Sequence, residues 1–151
     1  MRALRLILIA AAVLVFVAIS ALLARAFSID GAERAAITQL LQDQARGDAG
    51  AMVRLIVGCG HSPACLARAT ADASALRRRG RVAILELNPS AGFSLGSTVG
   101  TARVAWRAGS SLPVVQCVRV RRAGNVVSGL NVQLLQISRR IRTGSTCPSR
   151  Y

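Results

Sequence analysis

A chain of 151 residues with a formal net charge of +14, its strongly basic residues all arginine and none lysine, has the length of one ordinary domain with a single core. Abundant alanine and the lack of lysine match a GC-rich codon bias, so the charge total alone does not establish an anionic partner.

The first 26 residues carry an address. Arg2 and Arg5 precede an apolar run from Leu6 to Ala24 with no ionisable side chain, and Arg25 closes it. As a helix the run is about 28 Å long, near the hydrocarbon thickness of a bilayer. A signal-peptide core has about 7–15 residues, so the length favours an uncleaved membrane anchor. The small residues of Ala24-Arg25-Ala26 keep cleavage and secretion as the alternative. The amino-terminal flank holds Arg2, Arg5 and the α-amine without an acid, and the positive-inside rule then places the N-terminus in the cytoplasm and the remainder outside. The expected organisation is an anchor or signal over 1–26, an exported domain over 27–143 and a tail over 144–151.

Beyond the anchor, Ser28 to Gly47 reads as a helix. Asp30 with Glu33 three residues later forms a capping-box-like start, Gly47 is a suitable stop, and Ile37, Leu40, Leu41 and Gln44 share one face. Asp48 caps a short second helix with Met52, Leu55 and Ile56 on its buried side. Cys59-Gly60-His61 breaks it, and Ser62-Pro63 opens a third helix running to Arg79, with Leu66, Ala69, Ala73 and Leu76 at helical spacing. After Gly80 the pattern turns to strands. Val82 to Leu87 is the first, Ser90 to Leu95 a loop, and Thr98 to Arg107 an alternating strand with Ala102, Val104 and Trp106 on one face. Val114 to Arg121 follows, then a turn at Ala123-Gly124-Asn125 and a last strand over Val126 to Arg139. A register with Val104 opposite Gln116, and Gln116 opposite Val132, gathers the even-numbered apolar residues on one face. The apolar parity moves from Leu134 to Leu135 and Ile137, which predicts a bulge. Helices followed by a meander of about four antiparallel strands make an α+β domain, the helices covering the apolar face of the sheet.

All four cysteines, Cys59, Cys65, Cys117 and Cys147, lie in the exported part, where an even count suits an oxidising compartment. Three pairings are open. The nearness of Cys59 and Cys65 favours Cys59–Cys65 with Cys117–Cys147; the second bond requires Cys117 to point away from the core and the tail after Arg140 to fold back. His61 sits between Cys59 and Cys65, but a zinc site lacks a fourth ligand and a Cys–His nucleophile lacks an orienting group, so a disulfide beside a surface histidine is the preferred reading.

Without Arg2, Arg5 and Arg25 the domain holds 17 arginines against six acids, a net +11. Glu86 is the last acid, and the 65 residues after it contain nine arginines, which points to a positive surface on the second half. In the register above, Arg103, Arg107, Arg119 and Arg121 lie opposite the Trp106 face, beside Asn131 and Gln133, with no acid of the second half to neutralise them. An exported domain rarely meets nucleic acid, so anionic lipid headgroups, wall polymers or a protein partner are the candidate partners. A plain solvated sheet face is the simpler alternative.

The succession of a first helix, the stretch ARGDAGAMVRLI, a cysteine-containing helix, a short strand and long strands over residues 29–140 resembles the nuclear-transport-factor-2-like (cystatin-like) fold, a cone of sheet closed by helices. More narrowly it is similar to the membrane-anchored members in high-GC Gram-positive bacteria, whose turn after the first helix often has the Gly47-Asp48 step. The resemblance implies a pocket between sheet and helices, where the enzymes of the family place an acid, a histidine or a tyrosine. Here no Asp, Glu or His follows Glu86, and the sole tyrosine is the terminal Tyr151, so the isomerase and dehydratase chemistry does not transfer. Glu86 itself reads as a salt-bridge partner of a neighbouring arginine rather than a general base. No catalytic residue, metal ligand or cofactor is expected. Gln116, polar on the apolar face beside Trp106, is the candidate to orient a ligand in the cone, unless it serves as an internal hydrogen-bonding group. The expected function is a non-catalytic, membrane-anchored interaction module; the alternative is a carrier or enzyme for a hydrophobic small molecule near Trp106.

Overall fold

The computed structural model describes residues 2–89, 98–125 and 129–148. Its elements are α1 (Arg2–Arg46), α2 (Ala49–Leu55), a 3-10 turn (Cys59–His61), α3 (Pro63–Ala75), β1 (Val82–Asn88), β2 (Thr98–Ala108), β3 (Val114–Asn125) and β4 (Gly129–Ile137). The strands form one open antiparallel sheet in sequence order. The predicted loop over 90–95 and Tyr151 lie outside the described residues.

The apolar run and the first domain helix are one element. Residues 7–24 are exposed along their whole length and long and apolar enough to cross a membrane. The helix then continues through Asp30 and Glu33 without a break, so the capping-box start expected there does not form. No glycine or proline before Gly31 interrupts the helix, so nothing releases those two acids to act as caps. They meet Arg122 of β3 instead. From Ile37 onward the predicted face holds: Ile37, Leu40, Leu41 and Gln44 are all fully buried. The helix stops where glycine permits it. Gly47 has φ +81°, its N–H donates to Gln44 O, and the Asp48 N–H donates to Asp43 O, the two bonds of a Schellman ending. The Asp48 carboxylate then accepts from the Ala51 N–H at the start of α2.

Ser62 Oγ accepts from the Cys65 N–H and Pro63 takes the first turn of α3. The helix ends at Ala75 rather than Arg79. Its inward face is Ala69, Asp72 and Ala73, followed by Leu76, while Leu66 at the first turn is 38% exposed.

Within the sheet, Val104 pairs with Gln116 as expected. The β3–β4 register differs: Val132 faces Arg122, not Gln116, because the strands remain paired out to Asn125 and Gly129. The slip is an even number of residues, so each side chain keeps its face. Val118, Val120, Leu134 and Ile137 are buried with Ala102, Val104 and Trp106 under the helices. Leu135 is the extra residue between the pairs Val120–Leu134 and Arg119–Gln136, a bulge where the apolar parity changes.

Candidate functional site

On the inner face, Gln116 is a hub. Its Oε1 accepts from Trp106 Nε1 at 2.9 Å and from Gln44 Nε2 at 3.1 Å, and its Nε2 donates to Ser138 O at 2.9 Å. Trp106, Gln116 and Gln44 are fully buried. The polar group in the apolar face thus joins α1, β2, β3 and the segment after β4. Trp106 and Gln116 fill the space between sheet and helices, and neither lines the clefts described below.

The outer face divides. Near the start of β3 it is covered, because residues after β4 continue alongside the strand: the Ser138 N–H donates to Cys117 O and the Ile141 N–H to Val115 O. The tail then crosses to the Cys117–Cys147 disulfide, with Cα atoms 5.8 Å apart, and Cys117 is buried beneath it on the face away from the core. Cys59–Cys65 closes the second bond at a Cα separation of 5.2 Å. Both pairings are those the spacing favoured. His61 is exposed beside sulfurs already joined to each other.

Farther along the outer face, Arg119 and Arg121 are exposed, and Arg121 Nη1 donates to Gln133 Oε1 at 3.5 Å, while Arg107 is exposed at the other end of β2, level with the start of β3. Arg103 departs from the expected set. Its side chain is 20% exposed and lies 3.7 Å from Glu86 Oε1, which also accepts from Asn88 Nδ2. The acid that ends the first half therefore neutralises one member of the patch, since β1 is the neighbour of β2 and carries Glu86 to the Arg103 row. The expectation that Glu86 serves a salt bridge holds, while that of four unneutralised arginines reduces to three.

A second positive surface lies outside the set of arginines expected from the sequence. The Arg78 N–H donates to Ala45 O, Arg77 packs over Gly47, and Gly80 meets Gly109 so closely that a Cβ on either would stand 3.0 Å or less from backbone. These contacts bring the run Arg77-Arg78-Arg79-Gly80-Arg81 to the end of α1 and to the β2–β3 turn. Arg140 and Arg142 join from the tail, lining a cleft of about 340 Å³ with Pro113, Val115 and Ile141. Arg81 borders another of about 510 Å³ along α1, with Arg34, Gln39 and Gln42. The run of four arginines around one glycine is the sequence signal of this surface.

Beneath this end, Asp72 is 4% exposed. Burial pushes its carboxyl from 3.8 up to about 6, with Arg68 and Arg139 acting in the opposite direction. Asp72 Oδ2 and Arg68 Nη1 are buried without a hydrogen-bond partner among the described residues.

No protein-family model, curated protein or solved structure matches this chain.

Proposed function

We propose that this protein is a membrane-anchored, extracytoplasmic, non-catalytic interaction module of the nuclear-transport-factor-2-like type, which engages anionic components of the cell envelope through exposed arginines. The observation that carries the reading is the continuity of α1. One helix is both the apolar run and, from Ile37 to Ala45, a wall of the domain core, so the domain is joined to the span without a flexible linker. The sealed Trp106–Gln116–Gln44 cluster supports a structural core in preference to a carrier cavity at that position. Two oxidised cysteine pairs suit an extracytoplasmic site.

Fractionation tests the anchor: the full-length chain stays with membranes after a high-salt wash, and recovery of a soluble chain starting near Phe27 rejects it. Protease added to intact cells digests the domain if it lies outside. For the sheet face, attraction is at best about 1 kcal/mol per arginine near an anionic surface. The protein in zwitterionic nanodiscs should therefore capture anionic vesicles at low salt, and Arg119→Gln with Arg121→Gln should weaken that capture.

A further inference from the structure

We infer that the end of the domain opposite the anchor is a binding edge for an extended polyanion with repeating phosphate groups. This deepens the proposed function by assigning a surface and a ligand class, and it rests on that reading for the compartment only.

The edge is assembled from three stretches of chain. Arg79 and Arg81 come from the α3–β1 connection, Arg107 from the end of β2, and Arg140 and Arg142 from the tail. All five side chains are exposed, and none makes an ion pair among the described residues. Of the acids nearby, Asp43 is engaged by Arg46 and Asp48 by the start of α2, and Asp72 is buried beneath the surface.

The sheet sets the spacing. Arg81 precedes Val82 of β1, Arg107 pairs with Ala83, Ala105 pairs with Val115, and Val115 bridges Ile141 between Arg140 and Arg142. Four neighbouring strands at about 4.8 Å spread these arginines over roughly 15 Å. Such a row does not converge on a single small anion; it matches a chain of charges. Guanidinium groups bind phosphate oxygens through two parallel N–H donors, which suits phosphate repeats. Large apolar side chains are scarce there, with Leu112 the exposed one, whereas a protein–protein interface centres on buried aromatic or aliphatic anchors.

Position separates this ligand from the lipids around the anchor. Ala45, level with the edge, follows Ala24 by 21 residues of continuous helix, up to about 32 Å along the axis. Attraction to the bilayer surface is screened over about 8 Å at physiological ionic strength.

The test uses the full-length chain in nanodiscs of zwitterionic lipid, with fluorescent long-chain linear polyphosphate as the probe and anisotropy as the readout. The wild type binds the polymer, pyrophosphate competes far more weakly per phosphate, and affinity falls steeply with salt. Arg79→Gln, Arg81→Gln, Arg140→Gln and Arg142→Gln together lower affinity at least about tenfold and reduce the salt slope by about one per arginine removed. Arg119→Gln with Arg121→Gln lowers affinity less, per arginine removed, than the fourfold variant does. Unchanged Trp106 emission confirms that both variants are folded. Wild-type-like binding by the fourfold variant, an equal loss per arginine in the sheet variant, or equal competition by pyrophosphate overturns the inference. Competition by phosphatidylglycerol vesicles as strong as by the polymer makes a lipid surface the ligand and also overturns it. Because the titration requires no export, its failure is distinct from a failure of the fractionation test.

Discussion

Arg122 Nε lies 2.6 Å from Glu33 Oε2, joining β3 to α1 across 89 residues of sequence. The same guanidinium reaches Asp30 Oδ1 at 2.8 Å, so one arginine on the helix-covered face of the sheet holds two carboxylates of the helix. At the other end of the contact, Gln116 of β3 receives Gln44 of α1. These two points lie about 17 Å apart along the helix and about 20 Å along the strand, which makes α1 and β3 run side by side. The end of β3 at Arg122 therefore faces the apolar run of α1, and its start faces away from it.

Glu33 is fully buried, so removing its arginine is costly. Arg122→Ala should destabilise the protein by about 3–5 kcal/mol, the usual cost of breaking one side of a buried pair. Replacing both partners, Glu33→Leu with Arg122→Met, should restore most of that loss. Urea unfolding followed by Trp106 fluorescence measures both. A change below about 1 kcal/mol in Arg122→Ala would place the pair among surface bridges.

At the Gln116 hub, Gln116→Leu keeps the volume and removes the acceptor shared by Trp106 and Gln44. Each buried donor left without a partner costs about 1–3 kcal/mol, so the variant should unfold at clearly lower urea. Iodide should fail to quench Trp106 in the native wild type, because the ring is fully buried. Ready quenching, or a spectral shift on adding apolar ligands, would reopen the carrier reading.

Local chemistry made much of this fold readable. Gly47-Asp48 and Ser62-Pro63 mark real helix boundaries because capping is settled within a few residues. Face assignments survived a misplaced β3–β4 turn because strand parity is indifferent to an even slip. The failures at the candidate surfaces are non-local. Asp30 and Glu33 have the spacing of a capping box, yet their partner is Arg122, up to 92 residues away. Arg122 itself continues the even-numbered inner face, a sign that an acid must come from the covering helix. The arginine edge is not legible in the sequence because its members come from separated stretches that only Gly80–Gly109 packing and the returning tail bring together.

Asp72 predicts an acid-favoured stability. Its folded-state pKa, about 6, lies above its ordinary 3.8, so between those values the folded state binds more protons than the unfolded state. Stability from this group is then full below about pH 4 and is lost as pH rises through about 6, the total being about 3 kcal/mol. Asp72→Asn should remove that slope, narrowing the gap to wild type at pH 4 and gaining over it at pH 7. Parallel urea titrations at the two pH values give the comparison, and identical slopes for both proteins would refute the assignment.

The Cys117–Cys147 bond spans 30 residues and holds the tail over the outer face, while Cys59–Cys65 spans six. Closing the longer loop restricts the unfolded chain more, about 3.5 kcal/mol against about 2 in the chain-entropy estimate. Cys117→Ser with Cys147→Ser should therefore lower the urea midpoint more than Cys59→Ser with Cys65→Ser. The backbone bond from the Ile141 N–H to Val115 O should persist only in part once the tail is released. Amide exchange at Ile141 should accelerate in the first pair of variants and stay near wild type in the second. Equal protection of Ile141 in both would show that the tail holds its place without the sulfur bridge, leaving Arg140 and Arg142 positioned by the Val115 pairing alone.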